Sequence, residues 1–228
     1  MPWLPDRDGV KKMFQGNADL TRVVHQFNVY PAAYANPGWF STLVPGHLFG
    51  RLSKSRRGLS RLSGLLLQAH GLDKTAWYDF NLPQWRFALL PPQVINTLVT
   101  YGGLALAHRR IATMVDKAAL ARLKGSIGER AYQFALKRAS LMVGRQRGVD
   151  MDGLDLDDPG GQVRQMGATY FLGQFNNAPM AIAGRLAFKF APDMAGAAVN
   201  RTPDETAWSL FRRILIHEIN PQWQHLFS

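Results

Sequence analysis

The longest regular pattern of apolar and polar positions in the chain lies between residues 89 and 142. A helix can begin at Pro92, because proline in a first helical turn lacks only an N–H that has no partner there. From Val94 onward, apolar residues recur at helical spacing on more than one side, which predicts a helix surrounded by other elements. The pair Gly102–Gly103 is expected to divide or bend this helix, because each glycine costs about 1 kcal/mol relative to alanine in a helix interior.

Two further helix starts are predicted in the same stretch. Asp116 is placed to cap a short helix that ends at Leu123. Ser126 and Glu129 have the spacing of a reciprocal capping box, in which each side chain accepts a backbone N–H. Arg138 falls within the apolar stripe of the helix that this box would open. Its guanidinium either meets an acidic or carbonyl partner or, as we favour, extends to solvent near the helix C-terminus.

Aromatic-rich segments precede these helices. The segment 27–40 has prolines at two possible helix starts, with Asn36 placed as a cap for the second, and contains no lysine or arginine. We interpret it as part of the core and not as a base-stacking platform, because such platforms interleave aromatic and basic residues. Residues 72–90 lack a helical period and predict an irregular connection.

The last third of the chain opens with an acidic, polar surface loop at residues 144–161. It does not match an EF-hand, because Gly148 and Pro159 occupy the positions of the first aspartate and the bidentate glutamate. Helical pieces are then predicted at residues 162–172 and 179–190.

The final helix has the clearest start signal. Thr202 can cap it, Pro203 fits its first position, and the helix ends at Asn220–Pro221. The residues after it leave an apolar tail, from Trp223 to Phe227, that must pack on this chain or on a partner.

These patterns predict an all-α fold, with a loose N-terminal arm at residues 1–24 and a single compact helical domain at residues 25–228 with irregular connections. At 228 residues the chain is long enough to bury a sizeable core. The absence of cysteine excludes disulfides, thiol catalysis and cysteine-ligated zinc. The N-terminus lacks the pattern of a secretory signal, and the uncharged segment 87–107 contains too many polar and helix-breaking residues for a membrane span.

The net charge is the bulk property that says most about possible partners. The formal charge of +11 indicates an acidic partner: nucleic acid, anionic lipid or an acidic protein surface. Five cations lie close together in an amphipathic segment with no acid before Asp73. We interpret it first as a solvated face and second as a docking surface for an acidic protein or lipid headgroups. The five cations are Arg51, Lys54, Arg56, Arg57 and Arg61.

The chain contains no catalytic constellation that the sequence reveals. His217–Glu218 lacks the second histidine of a zinc-protease motif, and no phosphate-binding loop, dinucleotide fingerprint or nucleophile elbow is present. We therefore expect no enzymatic activity, catalytic residue, cofactor, metal or small-molecule substrate.

Several segments, in order along most of the chain, resemble the SctK/YscK family, an accessory component of the bacterial type III secretion sorting platform. They are FNVYPAAY at 27–34, PGW at 37–39, LPP at 90–92, LAHRRI at 106–111, GERAYQFAL at 128–136, RLAFK at 185–189 and the helix of Trp208. The resemblance implies a cytoplasmic, non-catalytic adaptor at the inner-membrane base of the apparatus. Its partners would be the SctQ-type pod protein, with the stator and ATPase, and the cytoplasmic domain of the SctD-type inner-membrane ring protein.

An adaptor needs exposed docking patches. The candidates are the basic segment from Arg51 to Arg61, the pair Arg109–Arg110, and the tail from Trp223 to Phe227. The alternative is a nucleic-acid-binding protein, because residues 81–149 are strongly basic. We consider nucleic acid a less probable partner, since no recognised binding motif is present and the basic residues are spread over several helices.

Overall fold

The computed structural model describes residues 18–143, 157–196 and 205–227, and every regular element in these ranges is helical. No strand occurs in them, so the prediction of an all-α fold is confirmed. The α-helices are α1 (Ala18–Val29), α2 (Gly46–Leu52), α3 (Arg56–Ala69), α4 (Pro92–Ala112), α5 (Lys117–Ile127), α6 (Glu129–Lys137), α7 (Ala139–Val143), α8 (Pro159–Gly173), α9 (Met180–Ala187), α10 (Pro192–Gly196) and α11 (Glu205–Ile214). Shorter 3-10 helices cover Pro31–Ala33, Pro37–Phe40, Pro83–Leu89 and Pro221–Phe227, and a π-helical turn covers Leu215–Ile219.

The described residues group into two compact units. The first contains residues 18–92, 177–196 and 226–227, and the second contains residues 93–143, 157–176 and 205–225. The expectation of one domain over residues 25–228 stays a prediction. The arm predicted at residues 1–24 is too long at its C-terminal end, because α1 begins at Ala18 and buries Val24 on its inner side.

The core of the first unit forms around α3. Phe40, Leu62, Leu66 and Phe188 are each at most 1% exposed and belong to one apolar cluster. Trp39 packs edge-on against Phe188 at 5.4 Å between ring centroids. The prediction that the aromatic residues of segment 27–40 belong to the core is therefore confirmed.

The two prolines of that segment begin 3-10 helices, as predicted. Asn36 caps the second one, since its side-chain oxygen accepts a hydrogen bond from the Gly38 N–H at 2.9 Å. The irregular connection is also confirmed for residues 75–81, although Pro83–Leu89 forms a 3-10 helix. Asn28 of α1 holds this connection in place: its amide donates to the Trp77 carbonyl at 2.7 Å and accepts from the Trp77 N–H at 2.9 Å.

A close helix crossing organises the second unit. A Cβ on Gly103 of α4 would lie 2.0 Å from the Val163 carbonyl oxygen of α8, and a Cβ on Gly167 would lie 1.8 Å from the Val99 carbonyl oxygen. A Cβ on Gly102 would lie 2.6 Å from the Phe211 ring. α4 runs without interruption through both of its glycines, so the first predicted alternative, a division of the helix, is wrong, and the second, a bend, stays a prediction. The glycines let two backbones touch, and this packing outweighs their intrinsic cost within a helix.

Two helix starts were predicted after α4, and the structure confirms one of them and not the other. Asp116 caps α5 as predicted, accepting the N–H groups of Ala118 and Ala119, and the helix continues to Ile127. No capping box forms at Ser126. This residue lies inside α5, and Gly128, at a φ of 83°, both ends α5 and begins α6. The turn therefore uses the positive φ that glycine permits in place of a serine cap.

The C-terminal helices follow the predicted order. α8 begins at Pro159, three residues before the predicted start at residue 162, because Asp158 caps it by accepting the Gly161 N–H at 2.8 Å. α9 lies within the range predicted for the second piece. The final helix continues from α11 through the π-helical turn and ends at Asn220, as predicted. The loop residues 144–156 and the cap at residues 202–204 lie outside the described residues.

None of the helices in the described ranges combines the length and the apolar character that crossing a membrane requires.

Candidate functional site

The predicted basic segment forms two helices. α2 ends at Leu52, Ser55 caps α3 by accepting the Gly58 N–H at 3.0 Å, and a Cβ on Gly58 would lie only 2.0 Å from the Leu52 carbonyl oxygen. Gly58 therefore permits a tight junction between the two helices. The apolar side of α3 faces the core through Leu62 and Leu66, and the opposite side faces solvent.

All five predicted cations of this segment are exposed. None of their charged groups forms an ion pair or a side-chain hydrogen bond within the part of the chain that the structure describes. The five form an exposed group of positive charges on one unit: Arg51, Lys54, Arg56, Arg57 and Arg61. The preferred interpretation as a solvated face agrees with this placement, and the charges are also available to a partner.

The other two candidate patches have different surroundings. Arg109 and Arg110 are exposed in the last turn of α4, where positive charge is favourable at a helix C-terminus. Trp223 is half-buried, whereas Phe227 is 6% exposed and packs on Phe87 with 4.5 Å between ring centroids. The end of the tail thus packs on this chain, and Phe227 is not part of an exposed docking surface.

Sequence reasoning missed a buried cation in the first unit. Arg185 of α9 is 1% exposed, and its guanidinium donates to the backbone carbonyls of Asn28 at 3.2 Å, Ala181 at 3.1 Å and Leu72 at 3.1 Å, and also to that of Thr75. Burial lowers the pKa of Arg185, and the nearby Tyr34 and Tyr78 oppose that shift. Arg185 therefore ties α1 and the irregular connection to α9.

A second buried cation lies four residues later. The Lys189 ammonium donates to the carbonyls of Ala88 at 2.6 Å and Leu90 at 2.5 Å, and lies over the rings of Phe27 at 5.5 Å and Tyr34 at 4.9 Å. Burial lowers the pKa of Lys189 to about 7. The Leu90 carbonyl is followed by Pro91 and Pro92, which have no N–H to offer, so the lysine supplies a donor where the local backbone has none.

One sequence signal could have located these two cations. Arg185 and Lys189 are four apart, a spacing that places both on one side of a helix. They are also the only charged residues between 179 and 192. Apart from Ala181, one helical turn before Arg185, their carbonyl partners lie about a hundred or more positions away along the chain, so no local pattern could have identified those partners.

A third polar centre lies in the second unit, around Glu218 of the π-helical turn. Glu218 is 6% exposed, its carboxylate lies 2.9 Å from the Arg138 guanidinium, and its backbone carbonyl accepts from Arg130 at 2.7 Å. Burial raises the pKa of Glu218, whereas Arg138, Arg130 and His217 lower it. Arg138 is half-exposed, so it extends toward solvent as predicted but also has the acidic partner that we did not favour.

An open cleft of about 220 Å³ lies in the second unit among α4, α5, α6 and α8. Its ionisable lining groups are Tyr101 and Arg164, and Arg164 donates to the Ser126 hydroxyl at 3.0 Å. Burial raises the pKa of Tyr101. The lining residues include no histidine and no carboxylate, the side chains that most often act as a general base. Over the described ranges, no three histidine, cysteine or acidic residues are grouped so that they could hold a metal ion.

The part of the chain that the structure describes is therefore all-helical, with buried polar centres that serve the fold and an exposed group of cations on α2, α3 and their connection. The family described as "YOP proteins translocation protein K (YscK)" matches residues 21–228, so the chain belongs to that family. This is the SctK/YscK family that the sequence segments resemble, and the resemblance is confirmed.

A solved structure has a similar fold: the "cytoplasmic domain of the T3SS sorting platform protein PscK from P. aeruginosa". The two chains are 22% identical, with a TM-score of 0.52, and the match covers 85% of this chain and 90% of that one. At this identity the match shows a common fold. A search of curated proteins finds no significant match.

Proposed function

We propose that this chain is a non-catalytic adaptor of the bacterial type III secretion sorting platform. The observation that carries this proposal is family membership over residues 21–228, which is nearly the whole chain. The fold shared with PscK, a sorting platform protein, supports it.

In this proposal the protein lies in the cytoplasm at the inner-membrane base of the apparatus. It joins the pods, built from the SctQ-type protein with the stator and ATPase, to the cytoplasmic domain of the SctD-type ring protein. An adaptor requires a rigid body and exposed contact surfaces. The buried centres at Arg185, Lys189 and Glu218 contribute to rigidity, because each joins segments that are distant in sequence.

The non-catalytic role agrees with the use of the polar groups. Arg185 and Lys189 donate to backbone carbonyls, and Glu218 pairs with Arg138, so these groups serve the fold. The contact surfaces we propose are the five cations of α2 and α3 with their connection, the pair Arg109–Arg110, and the half-buried Trp223.

The proposal is tested by expressing the full-length chain with an affinity tag in its native bacterium and identifying co-purified proteins by mass spectrometry. We expect recovery of the SctQ-type pod protein, the SctD-type ring protein, or both, and the same recovery after nuclease treatment. Recovery of nucleic acid with neither protein would contradict the adaptor role. A tagged, unrelated cytoplasmic protein of similar net charge is the control for capture by charge alone.

A further inference from the structure

We propose that the outward face of α3 docks an acidic helix of a partner protein. At about 100° per residue, five residues of α3 fall within roughly 100° of its circumference, opposite the buried Leu62 and Leu66. They define the outward face: Arg57, Arg61, Gly64, Leu65 and Gln68. The inference rests on the proposed function, since it assigns a partner chemistry to part of a surface named there.

Charge is the first argument for this partner. Arg57 and Arg61 are one turn apart and exposed, and neither guanidinium has a partner in the described part of the chain. Lys54 and Arg56 lie just before them, and no acid occurs between Arg51 and Asp73. A helix with carboxylates three or four residues apart would match two arginines on adjacent turns.

Leu65 gives the face an apolar contact point. It is 42% exposed and follows Arg61 by one further turn. An acidic amphipathic helix could therefore bury an apolar side chain beside Leu65 while its carboxylates meet the arginines. A contact that combines charge with an apolar anchor is typical of specific protein interfaces.

Gly64 suggests how close the partner comes. A glycine in the middle of a helix is unfavourable by about 1 kcal/mol relative to alanine. Gly58, Gly103 and Gly167 each have a packing reason, because a Cβ there would clash with a backbone atom. A Cβ on Gly64, like one on the helical Gly50 or Gly125, would meet nothing within 4 Å, but only Gly64 lies between exposed arginines and an exposed leucine on one helix face. The bare backbone at Gly64 fits a neighbouring helix at the short end of the usual interaxial distance of about 8–10 Å.

The face is poorly suited to a membrane surface. A helix that binds lipid inserts its apolar side into the headgroup boundary. In α3 that side is already used, since Leu62 and Leu66 are fully buried and Leu67 is 8% exposed within the core of the first unit. An acidic protein helix needs only the outward side, where Arg57, Arg61 and Leu65 are exposed.

The test measures binding of the purified full-length chain to two purified probes separately: the SctQ-type pod protein and the cytoplasmic domain of the SctD-type ring protein. One variant reverses charge, Arg57→Glu with Arg61→Glu, and a second, Gly64→Leu, blocks close approach without changing charge. The matched control, Lys74→Glu with Lys117→Glu, makes the same change of charge at exposed lysines elsewhere. Circular dichroism and thermal melts show whether each variant is folded.

We expect the double reversal to weaken binding to one probe by more than about tenfold, because it sets like charges against each other. Gly64→Leu should weaken binding to the same probe, and the control pair should change it by less than about twofold. If the wild type binds a probe and both variants bind it equally well, the inference is wrong and the adaptor role stands. If the wild type binds neither probe, the adaptor role fails and the inference with it. The same variants are also titrated against anionic vesicles and duplex DNA, and a loss of binding confined to these two probes would overturn the inference.

Discussion

Among single residues, Lys189 is expected to make the free energy of unfolding depend on pH. In the folded state, burial lowers its pKa to about 7, from an ordinary value of 10.5 that applies to the unfolded chain. Between these two pH values the unfolded chain holds a proton that the folded chain has released. The free energy of unfolding therefore rises with pH over this window, and below about pH 7, where both states are protonated, the contribution is constant.

We expect this contribution to reach about 1.4 kcal/mol per pH unit between those limits. Urea denaturation of the wild type and of Lys189→Met over the same pH range isolates it, because other titrating groups are common to both proteins. The wild type should gain stability relative to the variant as the pH rises from about 7. A difference between the two proteins that does not vary with pH would show that burial leaves the pKa of Lys189 unchanged.

Arg185 leads to a prediction about stability alone. Its guanidinium is hydrogen-bonded to four backbone carbonyls, and methionine would fill much of the volume but donate to none of them. An unsatisfied buried acceptor costs about 1–3 kcal/mol, although part of the cost is recovered by no longer burying a charge. We expect Arg185→Met to lower the free energy of unfolding by about 3–5 kcal/mol in chemical denaturation. The exposed Arg61→Met is the matched control and should change it by less than about 0.5 kcal/mol.

At the scale of elements, the crossing of α4 and α8 depends on two glycines. A Cβ on Gly103 or Gly167 would meet a backbone carbonyl oxygen at 2.0 Å or 1.8 Å, so the helices would have to separate. We expect Gly103→Ala and Gly167→Ala each to destabilise the fold by at least about 2 kcal/mol, a typical cost of overpacking.

The control for this prediction is Gly125→Ala. Gly125 also lies within a helix, α5, but an added Cβ meets nothing within 4 Å there. This substitution should leave stability unchanged or raise it by up to about 1 kcal/mol. Thermal or urea unfolding of all three variants tests the contrast. Equal effects at the three positions would mean that helix propensity, and not the crossing, explains the glycines.

The glycine pair also shows which elements a sequence can predict. Asp116 and Pro92 were located correctly because a cap or an N-terminal proline acts within one helical turn. The division at Gly102–Gly103 was predicted wrongly because only the intrahelical cost of glycine was considered, while the gain comes from Val163, sixty residues away. The capping box failed for a related reason, since Gly128 offered a turn that the spacing of Ser126 and Glu129 did not reveal.

In the candidate site, too, local features could be predicted from the sequence, whereas contacts between distant residues could not. The exposed cations near Arg57 were found from sequence because a solvated charge requires no particular partner. Arg185 and Lys189 were not assigned as buried, because their burial depends on carbonyls at Leu72, Ala88 and Leu90 that only the fold brings near.

At the scale of the whole molecule, the cations behind the net charge of +11 include both buried and exposed side chains, which act differently. Arg185 and Lys189 are inside the protein and hold its segments together, so they contribute little to a partner-facing surface. The cations of α2 and α3 are exposed and have no ion-pair partner among the described residues, and they contribute to the long-range attraction of acidic partners. A complex formed through them should weaken as salt screens exposed charges, whereas the fold held by the buried cations should respond much less.

A substitution in the apolar tail should change the stability of the protein without changing its binding to partners. Phe227 packs on the Phe87 ring, and Arg86 donates to the adjacent Leu226 carbonyl at 2.9 Å, so the last two residues of the tail pack within the first unit. We expect Phe227→Ala to lower the free energy of unfolding by about 3 kcal/mol, as for other buried phenylalanines. The exposed Leu82→Ala should have only a small effect. At temperatures where the variant is folded, pull-down with platform partners should equal that of the wild type, because the lost ring was never exposed. Lost binding with unchanged stability would instead make the tail a docking surface.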